Sequence, residues 1–188
     1  MDKAAYLQAN LIPVVTLVVL YFNSRAKLPF SRSNRLLRLL ILLILGAMVC
    51  DVAATLLNGM PGPGMRRALW LGNNLSFLFS CAVALCWYLY VSSRVWQELF
   101  PLWQIPLLAP AFFSFLMVLG TPYHGYLFTL DEANVYQRGA WFFLQYVIAM
   151  FYLAAASMLA LGHLRRAAAP EVRREYRNIC LLYTSRCV

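Results

Sequence analysis

Asp51 is the one carboxylate inside a long apolar run of this 188-residue chain, between Leu36 and Leu57. An ionised carboxylate in hydrocarbon costs ~2.5–3.5 kcal/mol on insertion scales, so such a residue is expected to face protein or water. Asn73 and Asn74 lie at a similar distance inside the next apolar run. If the two runs are antiparallel neighbours, an Asn amide would meet the Asp51 carboxylate at one depth. Two readings follow: a polar hinge or ligand pocket, or hydrogen-bonding glue between helices worth ~0.6 kcal/mol per bond. A second concentration of chemistry lies between Tyr126 and Arg138. Asp131 and Glu132 offer charge, Tyr126 and Tyr136 offer aromatic faces, and Arg138 can grip an anion. Its plainer reading is a solvated loop with aromatics at a headgroup boundary.

Catalysis finds no such concentration. The two histidines, His124 and His163, flank opposite ends of apolar runs, and Cys50, Cys81 and Cys86 lie within them. No metal-ligand spacing, disulfide framework or nucleophile–base pair emerges, and no cofactor is implied. Buried thiols of this kind fill helix contacts. This stretch is therefore not expected to be an enzyme by itself.

The elements that must position these residues are membrane spans. Hydrophobic residues make up 62% of the chain, well above soluble composition. Five runs stand out at about 5–22, 36–57, 68–91, 102–120 and 140–161. Each approaches or exceeds the ~20 residues that cross ~30 Å of hydrocarbon. None alternates polar with apolar as a barrel strand would. The expected fold is an all-α, polytopic bundle of five transmembrane helices. Asn58–Gly64 is rich in turn residues, Pro101 opens the fourth span, and Gly120-Thr121-Pro122 closes it. Pro13, Pro106 and Pro110 fall inside spans, where membrane helices tolerate kinks.

Charge orients the spans. Arg25, Lys27, Arg32, Arg35, Arg38, Arg94, Arg165, Arg166, Arg173, Arg174 and Arg177 fall on one side; Lys3, Arg66, Arg67 and Arg138 fall on the other. Eleven against four predicts an outward N-terminus and a basic inner face. Arg165 to Arg177 then reads as a cytoplasmic connector. The +9 net charge reflects this topology and contact with the lipid bilayer's anionic headgroups. With the arginines flanking spans, nucleic acid is not an expected partner. A cleaved signal peptide fits the first span poorly: no Ala-x-Ala site follows, and cleavage would export the most basic loop.

Aromatic residues form two expected belts, with Trp70, Tyr126, Tyr136 and Trp141 outside. Tyr21, Trp87, Tyr88, Tyr90, Trp96 and Trp103 lie nearer the inside. Ala149, Ala156, Ser157 and Ala160 suit close helix contact, within the bundle or across a homodimer. Residues Cys180–Ser185 resemble a translation of the transposon end used in sequencing libraries, and Arg186-Cys187-Val188 matches the same element reversed. The expected organisation is a membrane-embedded sensor region over 1–179 and an adapter-derived tail over 180–188, with the natural chain continuing past Ile179.

The order of features resembles the N-terminal membrane region of Firmicute-type bacterial diguanylate cyclases, the GGDEF proteins. There, too, a basic first loop follows an outward N-terminus. The matching features are an internal Asp in the second span (Leu45–Asp51) and Trp70-Leu71-Gly72-Asn73-Asn74 opening the third. An outer segment similar to Tyr-x-Asp-Glu-x-Asn-x-Tyr-x-Arg-Gly reads here as Phe128–Gly139. The resemblance covers most of residues 1–179. It implies two further spans, then a cytoplasmic domain that makes cyclic di-GMP from two GTP. It also implies a bacterial cytoplasmic-membrane location and an extracellular cue of unknown identity. The same membrane region can precede a histidine kinase, and a fragment of a small-solute transporter is the other alternative. A transporter is expected to show repeats or paired broken helices, and no convincing repeat is visible.

Overall fold

The computed structural model describes residues 3–96 and 102–166. Residues 180–188, and the connector beyond Arg166, lie outside the described residues. Five long apolar helices form an all-α bundle: α1 (Lys3–Lys27), α2 (Arg32–Leu57), α3 (Pro63–Trp96), α4 (Ala109–His124) and α5 (Phe142–Arg166). A 3-10 segment, Leu102–Leu108, precedes α4. The only strands among the described residues are β1 (Phe128–Leu130) and β2 (Tyr136–Arg138), an antiparallel hairpin pairing Phe128 with Arg138 and Leu130 with Tyr136.

Lipid-facing composition explains what is left uncovered. On α1 only Leu17 and Ser24 are buried, while Ile12 and Phe22 are 74% and 62% exposed. Apolar area of this extent would be an aggregation hazard in water, and in a bilayer it is the required outer surface. The chain is therefore a multi-pass membrane protein.

The central helix is α3, which packs against α2, α4 and α5. Its 34 residues extend about 51 Å at ~1.5 Å per residue, beyond the ~30 Å of hydrocarbon. It begins at Pro63, inside the stretch expected to be a loop, because proline's fixed φ and absent N–H suit a first helical turn. Both ends of α3 thus overshoot the expected span.

The fourth span also differs from expectation. A 3-10 segment gives way to α4 at Ala109, and the helix runs past Gly120-Thr121-Pro122 to His124. Pro122 costs only one bond in the last turn. The helix ends instead at Gly125, whose φ of 64° lets its N–H reach the Thr121 carbonyl at 2.8 Å. The upstream change of helix type is supported from α5. The Tyr152 hydroxyl donates to the Leu107 carbonyl (2.6 Å) and accepts from the Ala111 N–H (3.0 Å). Residues 107 and 111 are four apart, so the phenol bridges the two groups of an i→i−4 pair, each just after a proline, Pro106 and Pro110.

Tyr152 belongs to the larger of two cores, with Tyr88 and Val91 of α3, Ala111 of α4, and Ile148, Ala156 and Ala160 of α5. Ala156 and Ala160 therefore serve helix contact within the bundle, whereas Ser157 is exposed. Tyr88, expected in the inner aromatic belt, is 2% exposed and faces Tyr152 instead. Helical phase turned its ring inward. The second core places Phe128 and Leu127, both fully buried, against Leu69, Ala54, Met117 and Val118. The segment between α4 and α5 is a plug in the bundle's end.

Candidate functional site

Three connections meet at one end of the bundle: the start of α1, the α2–α3 loop, and the hairpin between α4 and α5. Lys3 Nζ donates to the carbonyls of Leu56 (2.9 Å) and Asn58 (3.2 Å), placing a cation at the negative end of α2. Arg66 reaches from the first turns of α3 to the carbonyls of Asp131 (2.6 Å) and Leu130 (2.9 Å) and to Asn134 Oδ1 (3.1 Å). Asn134, buried with φ 60°, donates through Nδ2 to the Met60 carbonyl (2.8 Å), and its own carbonyl receives the Gly59 N–H (3.0 Å). Asn58 Oδ1 accepts the Tyr136 N–H at 2.8 Å. The hairpin is thus bound to the α2–α3 loop by side chains as well as by apolar packing.

Below the hairpin lies a partly open cavity of about 400 Å³. Asp51 and Thr55 of α2, Asn73, Ser76 and Ser80 of α3, Tyr136 and Arg138 of β2, and Tyr146 of α5 line it, with Asn58 at the loop. Leu69, Phe77 and Phe142 supply apolar wall. The Tyr6 hydroxyl of α1 donates to Asp51 Oδ2. The Arg138 guanidinium carbon stands 4.9 Å from the centre of the Phe142 ring, and this side chain makes no hydrogen bond or ion pair to a described residue. Burial pushes the Tyr136 phenol up to about 12, against an opposing pull from Arg138 and with a small addition from Asp51.

Four of the seven residues singled out by sequence therefore share one cavity: Asp51, Asn73, Tyr136 and Arg138. The bond expected between Asp51 and an Asn amide is absent. Asn73 Nδ2 donates to the Leu69 carbonyl (2.8 Å) and Asn74 Nδ2 to that of Trp70 (3.0 Å), the i−4 back-bond that short amides make inside helices. Asn74 is outside the cavity lining, and its buried Oδ1 has no partner among the described residues. Asp131 is a turn residue: its carboxylate accepts the Val135 N–H at 2.8 Å and its carbonyl serves Arg66. Glu132 is exposed at the hairpin tip.

Tyr6, Asn58, Arg66 and Asn134 carry much of the geometry and were not among the sequence candidates. Asn134 did stand inside the outer motif, and asparagine tolerates the left-handed backbone that a tight turn requires. Tyr6 and Arg66 gave no local signal, because their partners lie 45 and 65 positions away. Chemically, the arrangement sets polar groups and two opposite charges around a cavity with aromatic walls. Among the described residues no group of three His, Cys, Asp or Glu is placed to hold a metal ion. Comparison of the chain with family models, with curated proteins and with solved structures finds no match.

Proposed function

We propose that this chain is the membrane sensory region of a bacterial signalling protein, with the cavity beneath the hairpin as its receptor for an external cue. The observation that carries this reading is that a single occupant would touch α2, α3, β2 and α5 together. Two of those helices, α3 and α5, then run to the arginine-rich end in continuous contact through Tyr88, Val91, Tyr152, Ala156 and Ala160. A cue that favours one α3–α5 packing over another would thereby move the segment following Arg166. Only a difference in affinity for the two packings drives such a shift.

The basic end faces the cytoplasm in this reading. The output is a diguanylate cyclase domain, on the strength of the resemblance in Leu45–Asp51, Trp70–Asn74 and Phe128–Gly139. Two experiments test the proposal. Reporter fusions at Pro29 and Glu132 should place them inside and outside respectively, and the reverse result would overturn it. Genomic sequence beyond the codon for Ile179 should encode a Gly-Gly-Asp/Glu-Glu-Phe motif. A kinase dimerisation helix there would keep the sensor and replace the output. A transporter remains the second reading, favoured by the interrupted fourth span; uptake of a solute by reconstituted protein would establish it.

A further inference from the structure

The cavity contains two opposite charges that do not neutralise each other. Asp51 is engaged by the Tyr6 phenol and Arg138 by the face of Phe142, yet both line the same space of about 400 Å³. No ion pair joins them. Each would hold an occupant of opposite charge, and an occupant bearing a single charge would satisfy one and oppose the other. An anion alone faces the Asp51 carboxylate; a cation alone faces the Arg138 guanidinium. A molecule carrying both charges satisfies both, with charge-assisted hydrogen bonds at each pole. The planar guanidinium fork suits a carboxylate or phosphate, and a carboxylate flanked by aromatic rings suits an ammonium.

A second, smaller hollow adjoins the cavity. A recess of about 170 Å³ shares Phe77, Ser80, Phe142 and Tyr146 as walls and adds Cys81, Ile148 and Gln145. Gln145 accepts from the Ser114 hydroxyl at 2.8 Å, while its buried Nε2 has no hydrogen-bond partner among the described residues. The recess is mainly aromatic and apolar.

We infer that the cavity binds a small zwitterion, its anionic group on Arg138 and its ammonium on Asp51, with an apolar or aromatic tail in the adjoining recess. This rests on the receptor reading above and names its ligand class. Two sources share that chemistry: a free amino acid, and the ammonium–phosphate headgroup of phosphatidylethanolamine.

The test uses the full chain in phosphatidylglycerol nanodiscs and three probes that share a phenethyl group. These are L-phenylalanine (both charges), phenethylamine (cation only) and 3-phenylpropanoate (anion only), with binding read by calorimetry. L-phenylalanine should bind at least about tenfold more tightly than either. Asp51→Asn should erase its advantage over 3-phenylpropanoate, and Arg138→Gln its advantage over phenethylamine. Discs containing phosphatidylethanolamine separate the sources. A headgroup ligand would be retained by the wild-type chain, lost from Asp51→Asn, and would weaken L-phenylalanine binding; a free solute would bind equally in both discs. Equal binding of the three probes would overturn the inference. So would a preference untouched by both substitutions, or a wild-type chain that takes up no probe and retains no phosphatidylethanolamine. The probe series is read on the wild type, so a variant that fails to fold leaves the test intact. Zwitterion binding with no change in spin-label distances between α3 and α5 would instead sink the sensing proposal and leave the site standing.

Discussion

The two ends of the bundle hold similar kinds of charge and use them differently. At the hairpin end, Lys3 and Arg66 each end on backbone carbonyls of another element. At the arginine-rich end, Arg35 and Arg38 stand 5.5 and 5.8 Å from the Phe30 ring, and Arg38 donates to the nearby Leu28 carbonyl at 3.2 Å. The first set of contacts crosses 53 to 65 positions of sequence, and the second stays within one turn and its adjoining helix. The hairpin end is therefore held by contacts between elements distant in sequence. The Arg35 and Arg38 contacts at the basic end are local ones, to Phe30 and Leu28.

The contrast can be broken most severely at Gly139. A Cβ there would overlap the carbonyl oxygens of Gly125 and Tyr126, where the hairpin returns to the bundle. Gly139→Ala should cost about 3 kcal/mol or more and lower the melting temperature of the solubilised protein sharply. Arg66→Met comes next. It leaves two carbonyls and the Asn134 amide oxygen without their cation, for an expected loss of about 2–3 kcal/mol, and should increase protease cleavage at the hairpin. Tyr152→Phe tests the connection between the ends. Losing the phenolic bridge between Leu107 and Ala111 should cost about 1–2 kcal/mol, with faster amide exchange at Ala111.

Tyr136 gives the contrast a pH signature. Its phenol is raised from the usual 10 to about 12, so the contribution of its neutral form is fully present below pH 10. Between pH 10 and 12 the unfolded chain loses a proton that the folded chain retains, and stability falls across that window. Tyr136→Phe should flatten this part of the melting-temperature profile. At the opposite end, Arg35→Gln should change stability by no more than about 0.5–1 kcal/mol, since only an exposed cation–aromatic contact is lost. A larger effect would show that the basic end is as tightly built as the hairpin end.

The five helices were legible because the free energy of moving side chains from water to hydrocarbon is nearly additive along a segment. Run length and composition report it directly. The shared depth of Asp51 and Asn73 followed from antiparallel neighbours. Their hydrogen-bond partners did not, since a helix offers each Asn an i−4 carbonyl that competes with any neighbour. Tyr88 shows the same limit: its depth was readable, but its inward rotation depended on Tyr152 of α5. The hairpin was hidden for another reason. Its strands are three residues each, too short for alternation to register, and Phe128 and Leu127 are buried only because the bundle end receives them.

By itself, the order of residues determined that this chain crosses a bilayer as helices, because each span answers to its own solvent. Folding in three dimensions decided that Asp51, from the second helix, faces the same cavity as Arg138, from a strand 87 positions later. That meeting depends on helix rotation, close packing and the Arg66–Asn134 clasp, none of which any single segment encodes.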